Sequence, residues 1–144
     1  MRIISIAGAF AFAIGSVPLH AHHSFAAQFD ASKPITLQGA VTKVEWRNPH
    51  IWVYLDVKNP DGSVTAWECE GGAPNALTRQ GWSRKDLESG EPLTIVGYLA
   101  KDGSKTCNAR TWQVGDRTVL AGSNDGGPPA ARQPTSEGRQ LRDW

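Results

Sequence analysis

The sequence predicts a mainly β protein that folds as one small domain. Fifteen Gly and nine Pro among 144 residues predict many turns, which β-rich folds need more often than helical bundles do. Residues 51–57 alternate strictly, with Ile51 and Val53 on one face and Trp52 and Tyr54 on the other. This is the period of a half-buried strand. The length is that of a single domain.

Turn residues divide the chain into six predicted strands. Asn59-Pro60-Asp61-Gly62 carries a turn-forming residue at every position and predicts a hairpin. Gly39 lies within the first strand, where a strongly curved strand favours a residue without a side chain. The predicted strands are 35–46, 51–57, 64–70, 93–100, 105–114 and 118–120.

One short helix separates the third and fourth strands. Pro74 suits the first helical position and Gly81 the end, while Ser83 and Asp86 resemble a capping box for one further turn. Three strands, a small helix and two more strands are the order of an oligonucleotide/oligosaccharide-binding (OB) barrel. We therefore expect a small five- to six-stranded OB-like barrel. A small open β-sandwich is the alternative, although it needs more strands than the sequence contains.

Both ends of the chain lie outside this predicted domain, which covers residues 22–121. Residues 1–21 resemble a signal peptide, because an apolar run at 3–17 ends before the small residue Ala21. The run is shorter than the roughly 20 residues of a membrane-spanning helix, so we expect a periplasmic or secreted protein with no membrane span after signal removal. Residues 122–144 are rich in Gly, Pro and polar residues, which predicts a disordered tail.

The charge balance excludes one class of partner. Lys+Arg 15 and Asp+Glu 14 give a formal net charge of +1, whereas nucleic-acid binding needs a strongly basic face. We therefore expect no nucleic-acid partner. We expect the protein to be a monomer whose partner is a small molecule or another periplasmic protein.

The two cysteines are candidates for a disulfide. Cys69 ends the third predicted strand and Cys107 begins the fifth, and these strands are neighbours in an OB barrel. An oxidising compartment favours the bond, with two free thiols as the alternative. A redox role is not indicated, because the sequence contains no Cys-x-x-Cys.

Three histidines suggest a second interpretation, a copper site. Cleavage after Ala21 leaves His22-His23 at the mature amino terminus, where an amine and an imidazole can chelate one Cu(II) ion. His50 is the remaining mature histidine. The alternative is that these histidines are exposed and bind no metal. Copper is the cofactor that this second interpretation implies, and the first interpretation implies none.

Aromatic and basic residues suggest a ligand surface. Trp52 and Tyr54 face away from the apolar row, on the surface that OB barrels use to stack flat ligands. Alternatively, the segment with Phe25 and Phe29 covers this face. Arg79 and Arg110 are candidates for binding a carboxylate, with salt bridges to glutamates as the alternative.

No motif for an enzyme stands out. The sequence contains no HExxH, phosphate loop or Ser/His/Asp order. We therefore expect a non-catalytic ligand-binding or accessory module.

Several motifs form a recognisable set across residues 22–121. They include His22-His23-Ser24-Phe25, Asn48-Pro49-His50, Pro74-Asn75-x-Leu77-x-Arg79 and Asn108-Ala109-Arg110. In these motifs the chain resembles a family of small exported bacterial proteins, the domain of unknown function 6152. The resemblance implies an exported β domain and no known activity, and the two cysteines stand where ordinary residues are expected. Because they lie inside the motif set, the candidate residues are Asn48, Arg79 and Arg110 for a ligand, beside Trp52 and Tyr54, and His22, His23 and His50 for a metal.

Overall fold

The computed structural model describes residues 24–122 and 126–129, which form a mainly β protein. In this part of the chain, six strands belong to one sheet, and two short helices and a 3-10 turn complete it. The elements are α1 (Phe25–Gln28), β1 (Phe29–Glu45), β2 (Trp52–Lys58), β3 (Val64–Glu70), α2 (Pro74–Thr78), the 3-10 turn (Arg84–Asp86), β4 (Pro92–Ala100), β5 (Thr106–Val114) and β6 (Arg117–Leu120).

The strands follow the order β3-β2-β1-β4-β5-β6, with antiparallel pairing between neighbours. β3 also pairs in parallel with β5. The pairing therefore runs from β1 through β2, β3 and β5 to β4 and returns to β1. All described strands belong to one sheet, so the alternative of two packed sheets is wrong.

The element order agrees with the sequence prediction, including the helix between β3 and β4. Two details differ. β1 begins at Phe29 and not at residue 35, because Phe29 pairs with Ala100 across an irregularity in the ladder that ends at Pro34. A second helix, α1, precedes β1, and its Phe25 is buried. The apolar contacts of Phe25 explain why this segment is ordered although its sequence is short and weakly helical.

The core confirms the predicted alternation of β2. Ile51, Val53 and Leu55 are fully buried, and Leu77 of α2 packs into the same cluster. Gly39 lies where β1 approaches β2, and a Cβ atom there would overlap the carbonyl oxygen of Asp56. A side chain at this position would therefore push the two strands apart.

A disulfide joins Cys69 and Cys107, as the sequence predicts. The two residues are directly paired in the parallel β3–β5 register, with Cα atoms 4.5 Å apart. Both cysteines are buried in the core cluster. Because side chains alternate along a strand, the residue after each cysteine points away from that core.

The predicted signal peptide, 1–21, lies outside the described residues, as does most of the expected disordered tail, 122–144. The described tail residues 126–129 contact the folded part of the chain. Over the described residues, no helix has the length and apolar character needed to cross a membrane.

Candidate functional site

Three polar side chains are buried in the described part of the chain, and they lie together. Glu70 retains 9% of its surface, Arg110 5% and Asn108 none. Glu70 is directly paired with Asn108 across the β3–β5 ladder, and Arg110 follows two residues later on β5. We call these three residues the polar row.

The polar row lies on the face of the sheet opposite the core. Glu70 and Asn108 follow the two core cysteines, so their side chains point the other way. The same register continues the row on both sides, because Trp52 pairs with Glu70 and Tyr98 pairs with Asn108. Four neighbouring strands thus contribute to one band across the outer face.

A β-bulge lies at Arg110. Val96 pairs with Thr111 and Gly97 with Ala109, which leaves Arg110 as the extra residue of β5. Bulges redirect side chains and are frequent beside functional sites. The Arg110 guanidinium lies 4.6 Å from the centroid of the Phe25 ring, a cation–π distance. This contact brings α1 onto the polar row.

His50 joins the polar row from the turn before β2. Its Nδ1 lies 3.2 Å from the carbonyl oxygen of Gly71 and 3.4 Å from Oε1 of Glu70, and the His50 side chain is 22% exposed. A carbonyl oxygen only accepts, so the neutral tautomer that fits carries its proton on Nδ1. The lone pair then belongs to Nε2, the arrangement found in histidines that bind metals.

An aromatic cluster adjoins the polar row. The rings of Phe25 and Tyr98 meet edge to face with centroids 5.6 Å apart, and Phe29 and Ala100 complete the buried cluster. The Tyr98 hydroxyl donates a hydrogen bond of 2.8 Å to the carbonyl oxygen of Pro129. The described tail residues therefore cover part of this face.

The sequence-predicted site residues separate into two groups. The structure brings His50 and Arg110 together, with Trp52 beside Glu70 in the register. Arg79 is exposed at the end of α2, and Asn48 is exposed in the turn before Pro49. The two candidate metal ligands at the predicted mature terminus, His22 and His23, lie outside the described residues.

Tyr54 lies on the outer face but is covered in part by a charged side chain. Nζ of Lys43 is 4.9 Å from the centroid of the Tyr54 ring. Partial burial raises the pKa of the Tyr54 hydroxyl, because it disfavours the phenolate. Phe25 and Phe29 pack against Tyr98, which lies on the same outer face as Trp52.

Sequence reasoning did not assign Glu70 and Asn108 to the candidate site. A signal was present, because Glu70 follows Cys69 and Asn108 follows Cys107. Once the cysteines pair in the core, the residues after them must lie side by side on the other face. The bulge at Arg110 left no such signal.

The arrangement suits recognition of a polar ligand by hydrogen bonds. Arg110 supplies donors, Glu70 acceptors, and Asn108 and His50 either. Among the described residues, no group of three or more His, Cys, Asp or Glu side chains is placed to hold a metal ion. A metal site at this position would therefore need ligands from elsewhere in the chain.

Comparison with known proteins assigns a family. No curated protein matches the sequence significantly. The model of a family of unknown function, DUF6152, matches residues 11–109, which is more than half of the 144 residues. The match includes α1, the turn carrying His50, β1 to β4 and the first four residues of β5, and it ends one residue before Arg110. The chain therefore belongs to the DUF6152 family.

Proposed function

We propose that this protein is an exported, non-catalytic ligand-binding or accessory module whose binding site is the polar row with His50. One observation carries the proposal: the three buried polar residues of the described chain are adjacent and lie outside the core. The expected location is the periplasm or the extracellular space.

The strand pairing supports an OB-like barrel as the scaffold. The circuit β1-β2-β3-β5-β4 with α2 between β3 and β4 is consistent with that barrel, in which residues on the outer strand faces bind ligands. The polar row occupies β3 and β5 within this circuit. The scaffold thus fixes the row on paired strands, beneath the side chains and backbone that cover it.

The energetics favour a functional reason for the row. Burying charged groups is costly even when they are paired, and well-packed apolar residues of similar volume are often as stable or more so. Stability therefore gives little reason to bury Glu70 and Arg110 together. Stability–function trade-offs of this kind are typical of binding sites.

Replacing the polar row by apolar residues tests this function. We expect Asn108→Leu and Arg110→Met to abolish retention of small molecules from a periplasmic extract, identified by mass spectrometry on the immobilised full chain. A variant that replaces both charged residues, Glu70→Met with Arg110→Met, should lose the same retention and unfold in urea within about 2 kcal/mol of the wild type. The exposed Arg79→Met is the matched control and should retain the same molecules. Asn108→Leu or Arg110→Met protein that still retains the same small molecules, even if its stability is severely lowered, would contradict the proposal.

Cu(II) binding is the second candidate function. It is favoured by the orientation of His50, whose Nδ1 faces Gly71 and Glu70 and directs Nε2 elsewhere. The position of Phe25 is a second argument. Phe25 lies over Arg110 and follows His22 by only three positions, so the chain reaches the polar row within three residues of His22. The proposed ligands are the mature amino-terminal amine, the imidazole of His22 or His23, and Nε2 of His50, a nitrogen set that suits Cu(II).

Titration with Cu(II) tests the second candidate. Intact-mass measurement of the secreted protein first identifies the mature terminal residue. We expect binding tighter than micromolar, weakened at least about tenfold by His50→Ala as one ligand is lost. Asn48→Ala, an exposed change in the same turn, should bind like the wild type. Binding that survives His50→Ala with a blocked amine excludes this site.

A further inference from the structure

The contact between residues 126–129 and the aromatic cluster has the chemistry of proline-segment recognition. The sequence there is Gly126-Gly127-Pro128-Pro129, which we call the Gly-Pro segment. It forms no helix or strand. Consecutive prolines favour an extended, unpaired backbone whose carbonyl oxygens remain available as acceptors.

The surface under the Gly-Pro segment combines aromatic rings with a hydroxyl donor. Phe25 and Tyr98 form its floor, and the Tyr98 hydroxyl donates to the carbonyl oxygen of Pro129 at 2.8 Å. Domains that bind proline-rich segments use aromatic-lined surfaces in the same way. Because the prolines lose little backbone freedom on binding, a short segment can dock there.

Gly127 shows how closely the segment approaches. A Cβ atom at this position would overlap Nη2 of Arg110 and lie 2.6 Å from Cδ2 of Phe25. The backbone of Gly127 therefore occupies the corner between the guanidinium and the Phe25 ring. A second glycine, Gly122, also borders Arg110, since a Cβ there would lie 3.0 Å from Nη1. A side chain at Gly127 would therefore require the Arg110 guanidinium and the Phe25 ring to shift.

We propose that the surface formed by Phe25, Tyr98 and Arg110 is a binding site for extended Gly/Pro-rich protein segments. In the isolated chain it holds the protein's own Gly-Pro segment, and a partner protein's segment of the same chemistry binds by replacing it. This inference deepens the proposed function and rests on it in one respect, the shared residue Arg110. It names the class of partner as a proline-rich protein segment.

The first measurement concerns docking within the full chain. In the wild type, the amides of Gly126 and Gly127 should have {¹H}–¹⁵N NOE values like those of the strands. Gly127→Ala should lower the value at position 126 to that of a free tail, while the strand resonances keep their positions. Free-tail values at both glycines in the wild type would overturn the inference.

The second measurement concerns binding between molecules. A capped Gly-Gly-Pro-Pro-Ala-Ala peptide should bind the full-length Gly127→Ala variant, and bind the wild type at least about tenfold more weakly because the tethered segment competes. Adding Tyr98→Phe to that variant should weaken peptide binding about three- to tenfold, the loss of one hydrogen bond. A peptide with alanine in place of both prolines is the control. Should Gly127→Ala fail to fold, Pro128→Ala with Pro129→Ala opens the same surface.

The outcomes separate this inference from the proposed function. No binding of the peptide to either opened variant, or equal binding of the alanine control, overturns the proline-segment site. Retention of small molecules by the polar row is a different readout and is unaffected by that result. Loss of retention in Asn108→Leu together with peptide binding in the opened variants supports both.

Discussion

Asp86 illustrates how one side chain connects two elements. Its Oδ2 accepts hydrogen bonds from the backbone N–H and the hydroxyl of Ser83, at 2.7 and 2.9 Å, which completes the capping box predicted from sequence. Its Oδ1 accepts from Arg117 at the start of β6, whose guanidinium also lies 4.7 Å from the centroid of the Trp82 ring. The Ser83 backbone N–H, followed by Arg117, lowers the pKa of Asp86, because both favour the ionised carboxylate.

Asp86→Asn should lower the free energy of unfolding by about 1 kcal/mol at neutral pH, the usual cost of a lost cap. The folded pKa lies below the unfolded value of about 3.9, so this stabilisation is complete above about pH 5 and disappears as the pH falls through the folded pKa. Urea unfolding of wild type and variant between neutral and acidic pH measures it. Asp116→Asn, an exposed change in the β5–β6 turn, is the control. A difference that grows toward acidic pH would contradict the assignment.

At the scale of an element, β1 pairs with two strands, β4 and β2. Its first part pairs with β4 and its last part with β2, so the strand must bend between them. Gly39 pairs with Leu93 of β4 and also approaches the carbonyl of Asp56 in β2. The bend therefore occurs at the residue that has no side chain.

Gly39→Ala should lower the free energy of unfolding by about 1–3 kcal/mol, the range for forcing extra volume into a packed site. The added Cβ must displace backbone of Asp56 and not a flexible side chain. Urea unfolding checks the value. Gln38→Ala, exposed on the preceding position, should change stability by no more than about 0.5 kcal/mol, and an equal effect of both substitutions would refute the steric explanation.

A side chain covers part of the edge of the last strand, β6. β6 is at the end of the strand order, and such edges are prone to pair with other chains. The amide of Gln80 occupies this edge: its Oε1 accepts from the Leu120 N–H at 3.1 Å, and its Nε2 donates to the Leu120 carbonyl at 3.0 Å. One side chain thus satisfies two backbone groups that a neighbouring strand would otherwise take.

For the whole molecule, the junction between β3 and β5 is decisive. Their parallel ladder has three residue pairs, against seven between β2 and β3. The disulfide lies at the middle pair of this short ladder. The crosslink therefore secures the connection on which both the closed pairing circuit and the polar row depend.

Cys69→Ala with Cys107→Ala should lower the free energy of unfolding by about 4 kcal/mol, the chain-entropy value for a loop of this size, since the cysteines are 38 positions apart. Hydrogen exchange should rise first in the β3–β5 ladder. Wild-type protein unfolded in the presence of a reductant is the comparison, and its free energy of unfolding should match that of the double variant. If reduced wild-type protein shows two thiols and keeps the unfolding midpoint of the oxidised protein, the ladder does not need the bond.

Much of the fold was predictable because it depends on local pattern. The alternation of residues 51–57 identified the buried face of β2, and Pro74 with Gly81 marked the helix. Cys69 and Cys107 were paired correctly because strand order alone made them neighbours. Details that depend on distant contacts were missed: α1 exists because Phe25 packs against Tyr98, and these residues are far apart in sequence.

The sequence by itself determined the mainly β character, the order of the elements and the core row of β2, since period and turn chemistry are local properties. It indicated the disulfide only through the strand neighbours of an OB barrel. Only the tertiary structure decided the site. The polar row depends on the β3–β5 register, and its cover depends on the contacts of Arg110 with Phe25 and Gly127. Each of these is a match between segments distant in the chain, and such matches are set by how side chains fill space once the sheet has formed.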